Sequence, residues 1–422
     1  MDSLCREHIE ISGGNPLHGN VRVHGAKNAV LPILAATVLN GTENVIRECP
    51  NLSDVKATLK ILKALGCKVQ YENGTAYIQS ASLTEAAVPF EQMREMRSSV
   101  IFLGALAARC GEAHMCLPGG CELGPRPIDL HIAALEALGM EVFCDGSCLH
   151  CYAKNPHPAD VILAFPSVGA TENAVLAATA MEGTTRIIGA AREPEIEDLL
   201  SFLRKIGIGA FSDGNGTVFV HGNKSLHAAE HEVIPDRILV TTLMACAVSA
   251  GGDIVMEHAC PGHIQAVLEA FQKLGAEIST TMDTVRIKAP DKVKGNICVE
   301  TAPYPGFPTD AQSVFMAALL KAEGESRIRE NIFEARFRTV PEFRKMGAKL
   351  DVDANEAVIY GVDALHGADL VASDLRAGAA LCAAATGADG VSRIYGTHHI
   401  KRGYADLVGM LSRLGAQIVE KG

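Results

Sequence analysis

ILKALGCKVQYENGTAYIQS, residues 61–80, decides the fold. Apolar positions recur at helical spacing up to Leu65, and Gly66 then offers the left-handed cap that ends a helix. KVQYE and TAYIQ follow as two short alternating strands. Asn73-Gly74 between them is the dipeptide that closes a two-residue hairpin. The ending of this helix recurs five more times: ALEALG to Gly139, FLRKIG to Gly207, AFQKLG to Gly275, EFRKMG to Gly347 and MLSRLG to Gly415. The glycines are 73, 68, 68, 72 and 68 residues apart, so six copies of about 70 residues fill 422.

Each copy shares one grammar. Before the capped helix lies a strand introduced by glycine, as in GTENVIREC or GGDIVMEHA, and before that strand lies an Ala-rich helix such as DRILVTTLMACAVSA. The unit is β-α-β-α-β-β. One unit alone exposes an apolar sheet face it cannot cover. The expectation is therefore an α/β protein of two similar domains, each of three repeats with helices packed inside, an inside-out α/β barrel. A cleft between the two is the natural ligand site. Copy two departs from the rest: it has 28 residues from introducing to capping glycine (Gly111 to Gly139), against 24 in copy three and 23 in copy five. The surplus is the loop LPGGCELGPRPID.

Bulk properties exclude several classes. The net charge is −11, which argues against nonspecific nucleic-acid binding. A few converging arginines and lysines still make a local anion pocket. The N-terminal MDSLCREHIEIS has acidic residues and no apolar stretch, and no later apolar run is long enough to span a bilayer. The chain is expected to be cytoplasmic, with no membrane partner and its 13 cysteines reduced. Neither G-x-x-x-x-G-K-[ST] nor G-x-G-x-x-G follows a strand, so ATP and NAD have no support and no cofactor is expected.

Several residues can do chemistry. Cys121, after Gly119 and Gly120, is a thiol on a turn where backbone approaches a ligand closely; it is an acid or nucleophile, or a plain surface cysteine. Lys27 and Asn28 open an apolar helix, an anion site or an ordinary helix start. Asp310 follows a Pro/Gly-rich bend, as a base or merely a helix cap. Arg97, Arg376 and Arg402 sit at the start or first turns of helices, where each is a phosphate ligand or a solvated charge. Cys144, Cys148 and Cys151, with His150 and His157, fall on a hairpin rather than at zinc-site spacing, so no metal is expected.

Together the motifs resemble one family, the UDP-N-acetylglucosamine 1-carboxyvinyltransferases, from end to end. The matching segments are GAKNAVLPILAA (25–36), MRSSV (96–100), LPGGCELGPRPIDLH (117–131), FPSVGATEN (165–173), AREPEIEDL (191–199), IPDRI (234–238), PGFPTDAQS (305–313), FEARF (333–337), SDLRAGAAL (373–381) and HIKRGY (399–404). The PGGC loop sets this family apart from the shikimate enolpyruvyl transferases, which share the six-unit fold.

The resemblance implies transfer of the enolpyruvyl group of phosphoenolpyruvate to the 3-hydroxyl of UDP-N-acetylglucosamine, the first committed step of peptidoglycan synthesis. Lys27, Arg126 and Arg402 would hold phosphoenolpyruvate. Cys121 would protonate the methylene carbon, form an adduct with the enolpyruvyl group and be the target of fosfomycin. Asp310 would take the hydroxyl proton. Asn28, Arg97, Arg126, Pro127, Ile128, Asp129, Leu130, Ser167, Val168, Gly169, Asp310, Ile332 and Arg376 would line the substrate site. The expected division is residues 1–26 with 235–422 in one lobe and 27–234, with the Cys121 loop, in the other. The partners would be two small-molecule substrates, the chain itself a monomer or weak homo-oligomer. Leu239, Ala335 and Lys401 replace the family's usual acidic residue, Asn and Asp. A noncatalytic UDP-sugar-binding paralogue and transfer to another acceptor, such as shikimate phosphate, are the alternatives.

Overall fold

The computed structural model describes residues 7–89, 91, 97–116, 128–146, 148–222 and 225–422. They form two units, one of residues 7–24 with 235–422 and the other of the described residues between 25 and 234.

Each unit contains three helices without a polar face. They are Lys27–Ala36, Phe102–Cys110 and Val168–Ala178 in one unit, and Arg237–Ala250, Thr309–Leu319 and Leu375–Thr386 in the other. A helix apolar all round has no side for water and packs inside. In Leu375–Thr386 every residue after the first is buried. Alanine and glycine keep these helices thin enough to sit side by side, and in the unit with residues 235–422 all three pack on one another.

The second set of helices is amphipathic and ends at the six repeat glycines. All six glycines have positive φ, from 77° at Gly139 to 103° at Gly207. A side chain there would be strained, so glycine sets where each helix stops. Asn73 and Gly74 also take positive φ, 49° and 75°, and the hairpin pairs Glu72 with Thr75. This is the tight turn the dipeptide signals.

Among the described residues the strands make five four-stranded sheets and one three-stranded sheet. Every four-stranded sheet has one parallel edge strand, then antiparallel neighbours. Alternate strand residues are buried against the inner helices, such as Ser326 and Ile328 on one strand and Ala357 and Ile359 on its partner. The α/β class and the sixfold repetition hold. The linear repeat does not reveal which strands share a sheet. His18–Arg22 precedes the first inner helix yet pairs in parallel with Asp253–Glu257 of copy four. Ala229–Glu232 precedes the fourth inner helix yet pairs with Glu43–Arg47 of copy one. The two copies thus exchange edge strands where the chain passes between units. Copy six is closed by His8–Ser12, which lies between Val391–Tyr395 and Gln417–Lys421. Among the described residues no helix is long and apolar enough to cross a membrane.

Candidate active site

In the unit that includes residues 235–422, the inner helix Thr309–Leu319 presents Asp310 in its first turn. Oδ1 of Asp310 accepts hydrogen bonds from Arg376 Nε at 2.8 Å and Arg336 Nη2 at 3.1 Å. The side chains of Arg376 and Arg336 are 9% and 4% exposed, that of Asp310 22%. Burial on its own would raise the Asp310 carboxyl. Arg376, Arg336 and Arg237 outweigh it and hold the carboxyl well below the ordinary carboxylate range. Arg376 follows the cap residue Asp374, whose Oδ1 accepts the Arg376 N–H at 2.8 Å. Arg336 lies over the Phe333 ring, 4.9 Å from its centroid.

Ile332 belongs to the same cluster through Glu330. This buried carboxylate accepts the N–H groups of Ile332 and Phe333 at 2.8 and 3.0 Å. It also accepts the hydroxyls of Thr301 and Thr309 at 3.0 and 3.1 Å. Thr309 in turn accepts from Arg336 Nε at 3.2 Å. One buried acid thereby fixes the loop at Ile332 and the start of the Asp310 helix together. Sequence reasoning missed Glu330 and gave no role to Arg336; an acid three residues before an FEARF segment is not a helix, strand or metal signal.

Arg402 differs from expectation. It does not open a helix but follows the one-turn helix Thr397–Ile400, its N–H donating to His399 O at 3.3 Å. A Cβ at Gly403 would stand 2.6 Å from the Leu375 side chain, so glycine lets this turn pack against the Leu375 helix. The next helix begins at Leu407.

In the unit between residues 25 and 234, Lys27 and Asn28 open the helix Lys27–Ala36, as expected. Lys27 is not a bare cation. Its Nζ is 2.5 Å from Asp54 Oδ2, with side chains 12% and 2% exposed. Asp54 lies in the first turn of Ser53–Ala64, where an acid also suits the helix dipole. An anion arriving at Lys27 meets a positive charge that is already balanced.

Arg97 opens the 3₁₀ turn Arg97–Ile101. Ser167 caps Val168–Ala178, accepting from Ala170 N at 3.4 Å. Ile128 precedes Asp129–Ala137, with Asp129 exposed and Ile128 and Leu130 half-buried. Asn173, unnoticed in the sequence, ties these elements together. Its amide donates to Val100 O at 3.0 Å, and its Oδ1 accepts from Gly104 N at 2.7 Å. It also meets His131 Nδ1 at 2.8 Å. Burial lowers the His131 pKa to about 4, so the ring is neutral at pH 7. A Cβ at Gly169 would stand 3.0 Å from the His131 ring, which explains glycine there. Cys121, Arg126 and Pro127 lie outside the described residues, as does the Arg97 side chain.

Strand alternation separates members of the Cys/His-rich hairpin: Cys151 is buried, its thiol pushed up to about 12 by burial, and its neighbour His150 stands on the opposite face beside Phe143; Cys144, on the second strand, is exposed. His157 bonds locally to Asn155 O at 2.7 Å. At the three departures, Leu239 is buried in the apolar core and Ala335 precedes the 3₁₀ turn Arg336–Thr339. Lys401 pairs on the surface with Glu420 at 2.6 Å and with Glu7.

Three inner helices in each unit, and a half-buried acid held by two buried arginines at a helix start, match the enolpyruvyl transferases. The chain belongs to the EPSP synthase (3-phosphoshikimate 1-carboxyvinyltransferase) family, whose model matches residues 11–411. Among its relatives is UDP-N-acetylglucosamine 1-carboxyvinyltransferase 2 of Caldanaerobacter subterraneus subsp. tengcongensis. The two are 42% identical over 411 residues, 97% of this chain and 99% of the relative. UDP-N-acetylglucosamine 1-carboxyvinyltransferase of Finegoldia magna is 41% identical, with 98% of each chain covered. Among solved structures, the enolpyruvyl transferase NikO from Streptomyces tendae superposes with a TM-score of 0.89 at 26% identity, covering 99% of both chains. EPSP synthase from Acinetobacter baumannii shares the fold, with a TM-score of 0.75 at 17% identity over 99% of this chain and all of that one.

Proposed function

We infer that this chain transfers the enolpyruvyl group of phosphoenolpyruvate to the 3-hydroxyl of UDP-N-acetylglucosamine and releases phosphate. The observation that carries this is near-full-length likeness to two transferases named for that acceptor. The reaction is the committed entry to peptidoglycan precursors, and the chain acts in the cytoplasm. Asp310 accepts the hydroxyl proton as the sugar oxygen bonds to C2 of phosphoenolpyruvate. Cys121 delivers a proton to C3, turning the methylene into a methyl group. The C2–O bond to phosphate then breaks, the methyl group returns a proton to the Cys121 thiolate, and the enol ether is restored on the sugar. Each positioned acid or base contributes about 10²–10⁴-fold.

Lys27, Arg126 and Arg402 hold the phosphate and carboxylate of phosphoenolpyruvate. Asn28, Arg97, Pro127, Ile128, Asp129, Leu130, Ser167, Val168, Gly169, Ile332 and Arg376 contact the nucleotide sugar. The Arg376 and Arg336 contacts make the resting Asp310 a weak base. Its proton-accepting role requires Arg376 to turn toward an incoming anion, which restores basicity when substrate is present. The test is phosphate release from phosphoenolpyruvate with UDP-N-acetylglucosamine or with shikimate 3-phosphate as acceptor. Release with the UDP-sugar alone is expected. Release only with the shikimate compound would reassign the acceptor, and UDP-sugar binding without release would make the chain a noncatalytic binder.

A further inference from the structure

Asn173 makes three hydrogen bonds whose partners settle its own orientation. It is fully buried on the inner helix Val168–Ala178. Val100 O can only accept, and stands 3.0 Å from Nδ2; Gly104 N can only donate, and stands 2.7 Å from Oδ1. Turning the amide over would set carbonyl against carbonyl and N–H against N–H, so the backbone fixes which end is which. The second Nδ2 hydrogen then goes to His131 Nδ1, 2.8 Å away. Nδ1 of His131 must accept, which leaves the ring proton on Nε2. A proton on Nδ1 would meet the amide N–H, so the ring is kept neutral by geometry as well as by burial.

The same junction explains two glycines. A Cβ at Gly104 would stand 2.3 Å from Asn173 O. The Nε2 edge of His131 faces Gly169, where a Cβ would stand 3.3 Å from Nε2, so glycine leaves that edge uncovered by a side chain of its own. Three segments therefore meet at one amide: the turn Arg97–Ile101, the helix beginning at Val168 and the helix Asp129–Ala137. Each carries residues given above to the nucleotide sugar.

We propose that Asn173 is a positioning residue for the acceptor substrate: it locks His131 as the Nε2–H tautomer, so that the ring presents a fixed, uncharged hydrogen-bond donor beside Gly169 to an oxygen of the nucleotide sugar. Uracil carbonyls and diphosphate oxygens are all acceptors. The opposite tautomer would set the Nε2 lone pair against them. This role rests on the function proposed above; the tautomer itself does not.

Long-range ¹H–¹⁵N spectra of the full chain labelled in histidine read the tautomer, with His131→Phe identifying the signal. The wild type at pH 7 should show the proton on Nε2; a proton on Nδ1 would overturn the lock. Asn173→Asp keeps an acceptor for Gly104 but loses the donor, so its His131 should carry a proton on Nδ1. Calorimetry should show UDP-N-acetylglucosamine affinity falling about tenfold or more in Asn173→Asp and in His131→Phe. The KM for phosphoenolpyruvate should stay within about threefold of wild type. Unchanged UDP-sugar affinity in both variants, or an equal rise in the KM for phosphoenolpyruvate, would overturn the positioning role alone. A wild-type chain that binds no UDP-N-acetylglucosamine would overturn the functional reading and this role together.

Discussion

Replacing Asp310 with asparagine removes one charge from a buried cluster of three without changing its shape. The arginines left behind are 9% and 4% exposed at their side chains. Orphaning a buried charge costs about 3–5 kcal/mol. Arg336 keeps Thr309 and the Phe333 ring, so the low end applies, about 3 kcal/mol. That is about a hundredfold in the unfolding equilibrium. For a unit of roughly 200 residues, it lowers the thermal midpoint by about 6–12 °C. The sign of the pH dependence follows from the depressed carboxyl. Its stabilisation is complete above the ordinary carboxylate range and is lost as pH falls through the folded value. The gap between variant and wild type should stay constant from pH 8 to 6 and narrow below about pH 4. Scanning calorimetry at several pH values reads both. A midpoint within about 2 °C of wild type at pH 7 would refute the charge-cluster account.

The remaining predictions concern other links. Glu330→Ala strands two backbone N–H groups and two hydroxyls. Unfolding should become easier by about 3 kcal/mol, with UDP-sugar affinity falling as the Ile332 loop loosens; unchanged affinity and stability would contradict it. Lys27→Met removes the cation beside the buried Asp54 carboxylate and should destabilise the chain, by up to about 3 kcal/mol, while raising the KM for phosphoenolpyruvate; unchanged stability and KM would contradict it. His131 has its pKa lowered to about 4, so it stabilises the fold above its ordinary value near 6.5. That contribution is lost as pH falls from about 6.5 to 4, by about 3 kcal/mol at most. His131→Asn should flatten the pH dependence of the midpoint in that window. Cys121→Ser should abolish turnover, measured as phosphate release, with the circular dichroism spectrum unchanged.

The six glycines were legible because a left-handed residue has few local alternatives, and so were the hairpin dipeptide and the all-apolar helices. The edge-strand exchange was not. His18–Arg22 and Ala229–Glu232 are short strands whose sequences say nothing of which neighbour they pair with; the chain path decides that. For the site, Asp310, Arg376 and Ile332 were named as separate candidates, and the structure joins them through Arg336 and Glu330. Those two, with Asp54 and Asn173, are visible only once distant segments meet. A buried acid has no periodicity to announce it. Adjacency in sequence is no guide to a shared face either: Cys151 and His150 stand on opposite faces of one strand, while His150 meets His114 from 36 residues away.

Addition followed by elimination passes C3 of phosphoenolpyruvate through a methyl group. The enolpyruvyl UDP-sugar made in D₂O and read by proton NMR tests it. Deuterium in the product's methylene is the predicted result, with no product formed by Cys121→Ser. A product formed with its two methylene protons wholly retained would contradict it.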